Sequence, residues 1–243
     1  MKNILVFLML GSLASCTNLN KQDNHLTLEE ECKQAGDLSK QCEIVNIKGL
    51  TLDEKENLLG WIYLNGSEKI VPNYDKAYYW LEKAAKSQNN EALNSLGTIY
   101  LLGLGKNKDL NKAEEYYLKA DQLGNKEAKL NLAELYRSNG QDTLPDYEKA
   151  EKWYLAGMKD NQLRAYEGLS KMYIDQEKFK EAFDYSIKAA ELGSSEAEYN
   201  LGVFFEKGIY VQKNKLQAIY WYGKAAERGH VDAINNLRVL KQK

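Results

Sequence analysis

The sequence is poor in proline, histidine and cysteine and has no excess of positive charge. Its two prolines, Pro72 and Pro145 in 243 residues, each lie just before a candidate helix N-cap, so neither interrupts a helix. His25 and His230 are the only histidines and Cys16, Cys32 and Cys42 the only cysteines, too few ligands for a metal site. No Ser/His/Asp constellation and no glycine-rich phosphate loop occurs. Paired glutamates are plentiful, but on exposed helix faces they read as solvated charges. The chain is therefore expected to be no enzyme and to need no cofactor. A formal net charge of −2 argues against nucleic acid and against an anionic membrane face as partners.

What is present is a period. The stretch AEYNLGVFFEKGIYVQKNKLQAIYWYGKAAERG, residues 197–229, places Ala197, Leu201 and Phe205 at i, i+4 and i+8. It then places Ala218, Trp221, Ala225 and Gly229 at spacings of three and four, which is the signature of two amphipathic helices. Gly208 and Gly229 are suited to end them. The same pair recurs from Leu52 onward, giving five repeats near 55–90, 91–126, 127–163, 164–195 and 196–231 and a last helix at 232–241, all within one domain at 51–243. The fold class predicted is all-α, built from stacked helix-turn-helix repeats.

The spacings carry further information. From each second-helix alanine to the next first-helix alanine (Ala77 to Ala92, Ala113 to Ala128, Ala150 to Ala165, Ala182 to Ala197, Ala218 to Ala233) the distance is always fifteen residues. Inside a repeat, the distance from the first-helix aromatic to the second-helix alanine is thirteen or fourteen residues in four copies and nine in the fourth. Close helix packing fixes the first distance, whereas a surface loop tolerates changes in length cheaply. Asn73, Asp109, Asp146 and Asn214 stand four residues before the second-helix alanine as N-caps, and Lys178 occupies that place in the fourth repeat.

The order Ala-x-x-x-Leu-Gly-x-x-Tyr, a loop, then Asp-x-x-x-Ala-x-x-Trp-x-x-Lys-Ala-Ala-x-x-Gly resembles the Sel-one-like repeat, a relative of the tetratricopeptide repeat. The departures are Ala133 and Ser170 for the first glycine, Phe205 for tyrosine, and Gln88 and Asn161 for the terminal glycine. Asn161 is suited to the left-handed conformation; Gln88 is less so, and Asn89 or Asn90 is expected to take the role there. The resemblance implies a right-handed α-solenoid that binds proteins, often in bacterial envelopes or secretion systems, and implies no reaction of its own.

Before the repeats, residues 1–15 have one early cation, an apolar run from Ile4 to Leu10 and small residues near Ser15, as a secretory signal does. Leu13, Ala14, Ser15 and Cys16 resemble the lipobox of bacterial lipoproteins. That resemblance implies acylation of Cys16, with the chain carried to the outer membrane and facing the periplasm. Residues 16–26 are then a polar tether, and 27–50 form an N-terminal helical cap starting at a Thr27/Glu30 capping box. Cys32 and Cys42 would lie ~15 Å apart on one continuous helix, but Gly36 and Asp37 break it, and an exported location permits a disulfide across the hairpin. The alternative is two thiols packed as small apolar groups.

A surface for a protein partner is sought on the first helices, which line the concave face in related repeats. Its predicted partner-binding residues are Trp61, Arg137, Arg164, Glu167, Lys171 and Tyr199: a basic centre between acidic ends at Glu54, Glu91, Glu127 and Glu196, with Trp61 and Tyr199 as anchors. The glutamates also suit the first turns of their helices, whatever they bind. Two roles fit such a surface, an assembly scaffold or adaptor and an immunity protein that neutralises a type VI secretion phospholipase. A peptidoglycan or glycan binder is a third, requiring aromatics gathered on one face.

Overall fold

The computed structural model describes residues 27–35, 43–44, 46–66, 70–138 and 144–242. Residues 1–26, with the signal, Cys16 and the tether, lie outside them, as does Cys42, the expected partner of Cys32. The described residues contain twelve helices: α1 (Leu28–Ala35), α2 (Leu52–Asn65), α3 (Tyr74–Lys86), α4 (Asn90–Leu102), α5 (Leu110–Gln122), α6 (Ala128–Ser138), α7 (Tyr147–Gly157), α8 (Gln162–Asp175), α9 (Phe179–Glu191), α10 (Ser195–Lys207), α11 (Lys215–Glu227) and α12 (Val231–Gln242). None is long and apolar enough to cross a membrane. The chain divides into two compact units, Met1–Ser87 and Gln88–Lys243.

In the first unit α2 packs on α3, and Leu28 and Ile44 complete a core with Leu59, Ile62, Tyr63, Ala77 and Trp80. The predicted Thr27/Glu30 capping box forms, and Thr51 with Glu54 makes a second one. Thr27 N–H donates to Glu30 Oε2 at 2.7 Å and Glu30 N–H to Thr27 Oγ1 at 3.2 Å; Thr51 and Glu54 do the same at the start of α2. Glu31 of α1 is buried and accepts hydrogen bonds from Tyr63 Oη and from Lys76 Nζ, the latter at 2.7 Å. This buried carboxylate fastens the N-terminal cap to the first repeat.

The second unit stacks α4/α5, α6/α7, α8/α9 and α10/α11, each pair packed on the next, and α12 closes on α11. The register alanines show why the joint is constant. Ala92, Ala113, Ala128, Ala150, Ala165, Ala182, Ala218 and Ala233 have no exposed surface and Ala197 only 2%, so no larger side chain fits without moving a helix. Three joints close by Schellman motifs: Gly124, Gly193 and Gly229 take positive φ, and the next residue's N–H reaches back to Ala120, Ala189 and Ala225 at 2.9–3.0 Å. At the corresponding position Gln88 itself adopts φ +62°, while Asn89 caps α4 from an extended conformation. This corrects the expectation that Asn89 or Asn90 would turn the chain. Asn161 likewise takes no left-handed conformation. Its φ is −148° and its side chain accepts from Arg164 N–H, so α8 starts one residue early. An asparagine at a helix joint has two competing uses, and here capping wins.

The loops inside repeats vary around one fixed bond. The backbone N–H of Asn73, Asp109, Asp146, Lys178 and Asn214 donates to the carbonyl of Tyr63, Tyr100, Tyr136, Tyr173 and Phe205 respectively, always at 2.8–3.0 Å. The fourth repeat makes this bond across five residues instead of nine or ten. Its turn is itself a Schellman motif, with Glu177 at φ +57° and the closing bond as the outer hydrogen bond.

The aromatic ladder is mostly core. Tyr63, Tyr100, Tyr136, Tyr173 and Trp80 are buried, whereas Trp153, Phe205 and Trp221 are half-buried. The deepest second-helix side chain lies one residue further on: Leu81, Tyr117, Tyr154, Ser186 and Tyr222. Gly97 lies directly beneath the ring of Tyr117, where a Cβ would approach Cδ1 to 2.6 Å, and Gly202 lies beneath Tyr222 in the same way. In these two repeats the motif glycine admits a flat aromatic ring rather than turning the chain, and in the first repeat Gly60 makes the same room for Leu81.

Candidate protein-binding surface

In the second unit, successive first helices touch one another: α6 with α8, α8 with α10, and α10 with α12. Side chains at equal register in neighbouring repeats therefore meet. Glu127 and Arg164, each just before its register alanine, form an ion pair. Arg164 Nη2 also donates to Asn131 Oδ1 at 2.6 Å, and Asn131 Nδ2 to Asn94 Oδ1 at 2.7 Å, so a polar ladder runs across three repeats. A second group centres on Arg137, which forks onto Glu134 through Nη2 at 2.5 Å and Nε at 3.0 Å and reaches Asp175 in the next repeat through Nη1. Tyr154 Oη donates to Glu134 at 2.8 Å.

The electrostatics follow from this geometry. Burial pushes the Glu134 carboxyl up, but hydrogen bonds from Arg137 and Tyr154 and the charges of Arg137 and Lys171 outweigh it, leaving the group below its ordinary value. Burial raises the Tyr117 phenol to about 12, against a smaller opposing effect of its bond with Thr98. Burial and then the Glu134 charge hold the Tyr154 phenol protonated as a donor.

The six predicted residues fall into two sets. Arg137, Arg164, Glu167 and Tyr199 are engaged within the fold. Arg137 keeps only 10% of its side chain exposed, and Glu167 accepts from Ser194 Oγ at 2.5 Å. Tyr199 stacks on His230 with centroids 4.6 Å apart and packs into the core around α12. His230 Nδ1 accepts the Ala233 N–H at 3.3 Å, which assigns the ring proton to Nε2, facing Glu196 at 3.1 Å. Trp61, 51% exposed in the first unit, and Lys171, exposed on α8, are the two that present themselves outward. Of the predicted basic centre, Arg137 is taken up by Glu134 and Asp175 and Arg164 by Glu127 and Asn131, while Lys171 stays exposed. Opposite charges at equal register in successive repeats, Glu127 and Arg164, were the available signal. Among the described residues no group of three His, Cys, Asp or Glu side chains could hold a metal ion.

A second recurring device lies on the side of the loops. Lys76, Lys112 and Lys149, each just before the second-helix alanine, lie over the rings of Tyr63, Tyr100 and Tyr136 at 4.9–5.2 Å, and Lys178 supplies the same contact to Tyr173 at 5.8 Å. Carboxylates from the preceding helix accept two of the hydroxyls, Glu114 that of Tyr136 and Glu151 that of Tyr173. The fifth repeat drops all three parts together. Phe205 replaces the tyrosine, Gln217 the lysine, and Phe183 the carboxylate, and the two phenylalanine rings meet edge to face at 5.8 Å.

Comparison with known proteins agrees with this architecture. A Sel1 repeat protein from Oxalobacter formigenes superposes with a TM-score of 0.68 at 25% identity, over 89% of this chain and 91% of that one. A protective antigen present in uropathogenic Escherichia coli strains, displaying an SLR fold, gives a TM-score of 0.63 at 29% identity, over 76% of this chain and 40% of its own. Chitin synthase regulatory factor 3 of Schizosaccharomyces pombe is 29% identical over 224 residues, 85% of this chain and 24% of that protein, so this chain spans about a quarter of its relative's length. The Sel1 repeat family model matches residues 56–89, 90–125, 126–157, 165–194 and 195–230, most of the chain, and the protein belongs to the Sel1 repeat family.

Proposed function

We propose that this protein is a lipid-anchored, protein-binding repeat module that acts as a scaffold or adaptor in a bacterial envelope. The observation that carries the reading is the division of each repeat into register positions that are buried and nearly invariant within the chain and outward positions that differ from repeat to repeat, Trp61 and Lys171 among them. A stack of this kind specifies a partner without a reactive centre. A relative named as a regulatory factor supports action through another protein rather than catalysis. The anchor rests on the Leu13–Cys16 run and the envelope location with it; several acyl chains on one cysteine hold a protein firmly at a bilayer. A Cys32–Cys42 disulfide completes the reading as a staple for the N-terminal cap.

The test is cross-linked capture from envelopes with a soluble Cys16→Ser form lacking residues 1–15, set against Trp61→Ala and Lys171→Glu. One stoichiometric partner, lost with either substitution, supports the reading. Absence of any saturable partner overturns it, and full retention by both variants overturns the placement on the first helices. A captured lipase inhibited in the complex identifies the immunity role instead of the scaffold.

A further inference from the structure

The loop between α10 and α11 departs from its counterpart in the second repeat at one strained position. Both loops leave the first helix through a glycine at φ +72°, Gly103 and Gly208, and both close with the N-cap bond described above. Two residues after that glycine the second repeat has Gly105 at φ +66°, and the fifth has Tyr210 at φ +61°. Val211 N–H donates to the Ile209 carbonyl at 2.7 Å, so Tyr210 is the centre of a three-residue turn with positive φ, the rare and strained form of the γ-turn. Gln88 and Glu177, which also have positive φ, are polar residues ending helices. Tyr210 is neither, and glycine would occupy its place without strain.

Core burial does not account for the tyrosine, since it is 53% exposed. Its ring rests against Phe183 with centroids 5.7 Å apart, and Phe183 meets Phe204 and Phe205 edge-on at 5.5 and 5.8 Å. An aromatic column thus runs from the buried Phe204 out to solvent, in the one repeat where tyrosine, lysine and carboxylate are all replaced. Residues 207–215 (KGIYVQKNK) contain three lysines and no acid, and Lys207 and Lys213 are exposed. A strained residue presenting half an aromatic ring from a loop segment rich in lysine has the form of a binding platform, with strain retained where function requires it.

We propose that Tyr210, backed by Phe183 and flanked by Lys207 and Lys213, is a docking surface for an acidic segment of a partner protein that presents an aromatic or aliphatic side chain. This rests on the protein-binding reading and adds a second surface to it. Charge complementarity selects the occupant, because ammonium and phenol groups donate to carboxylates while the phenyl column accepts the apolar side chain. An overall formal charge of −2 disfavours a polyanion such as nucleic acid, which needs a broad basic face.

The experiment measures binding of a fluorescein-labelled peptide of alternating Glu and Asp around a central Leu-Trp pair to the soluble chain, to Tyr210→Gly and to Lys207→Glu/Lys213→Glu. Urea unfolding of each protein is measured in parallel. Tyr210→Gly is expected to keep or raise the urea midpoint while weakening binding roughly tenfold or more. The double charge reversal is expected to weaken binding comparably, and binding to wild type to fall as salt rises. A peptide with Ser-Ser at its centre is expected to bind little. Absence of saturable binding to wild type, unchanged binding by Tyr210→Gly, or a lowered urea midpoint for that variant overturns the proposal. So does equal binding of a single-stranded oligonucleotide of the same charge. Absence of peptide binding together with a captured partner that is lost by Lys171→Glu overturns this surface and leaves the general reading standing.

Discussion

In the fifth repeat Gly202 lies under the ring of Tyr222, whose hydroxyl reaches Glu206 at 2.7 Å. In the fourth, the same two positions hold Ser170 and Ser186, with hydroxyls 2.7 Å apart and Ser186 also bonded to the Ala182 carbonyl at 2.8 Å. One interface is a ring laid on bare backbone, the other a small buried polar pair, yet both close α8/α9 and α10/α11 into similar helix pairs. Helix contact is thus specified by matched pairs rather than by one residue type. The position directly after the first-helix register alanine follows the same logic. Glu198, fully buried, lies 3.4 Å from Lys224, while in the fourth repeat Tyr166 stands in its place beneath Lys188, 5.6 Å from the ring centroid.

The matching can be broken most severely at the glycine–tyrosine pair. Tyr222→Ala is expected to cost about 3–5 kcal/mol, as truncation of a buried aromatic does. Gly202→Ala should cost about 2 kcal/mol in the wild type, because its Cβ has no room beside the ring. In the Tyr222→Ala background the same change should cost less than about 0.5 kcal/mol. Urea titrations of the four proteins give the coupling directly, and additive effects would show that the glycine serves some purpose other than admitting the ring.

The joints differ as well, and pH separates them. Between the third and fourth repeats Arg137 links Glu134 to Asp175; at the next joint Ile174 occupies the register of Arg137, an apolar side chain in place of the guanidinium. Arg137→Ala should destabilise by about 1–2 kcal/mol, between the values for buried and exposed pairs. A carboxyl held below its ordinary value contributes stability above the unfolded-state pKa of about 4.3 and loses it as pH falls through the folded value. The gap between wild type and Arg137→Ala should therefore be constant from pH 7 to about 5 and close at lower pH. A gap that persists to pH 3 would mean that Arg137 acts through packing alone.

Much of this architecture is legible in the sequence because it rests on small residues at fixed spacing. Alanine at fifteen-residue intervals states both the helix pair and its joint, and Thr51 with Glu54 states a helix start. The depth of each side chain is less legible: Tyr116 and Tyr117 are adjacent aromatics, and only packing shows that the second is the buried one. The surface is least legible. Arg137, Arg164 and Tyr199 have the residue types of a binding face, but ion pairs and stacking between residues thirty or more positions apart take them up. The strain at Tyr210 leaves no compositional trace and emerges only when the loop is set beside that of the second repeat.

The caps offer a smaller test. Asn214 accepts the Gln217 N–H at 3.1 Å, whereas Lys178 makes no side-chain cap bond. Lys178→Asn should stabilise by about 1 kcal/mol, reduced by the lost contact with Tyr173. Asn214→Ala should destabilise by a similar amount. Thermal unfolding checks both, and a neutral result at 178 would show that the tight turn already orders the helix start.

The smallest difference is in the turn itself. The fifth repeat leaves its first helix through Gly208, whereas the fourth does so through Glu177 at φ +57°. Removing the side chain relieves roughly 1 kcal/mol of left-handed strain, but glycine adds conformational entropy to the unfolded chain and returns about half of that. Glu177→Gly should therefore stabilise by only about 0.5 kcal/mol, a shift of a degree or two in the melting midpoint of a chain this size. Tyr210→Gly removes a comparable strain and should shift the midpoint in the same direction. If Tyr210→Gly lowers it while Glu177→Gly raises it, the aromatic column stabilises the fold by more than the strain it carries, and the fifth repeat's departure from the others has a structural cause.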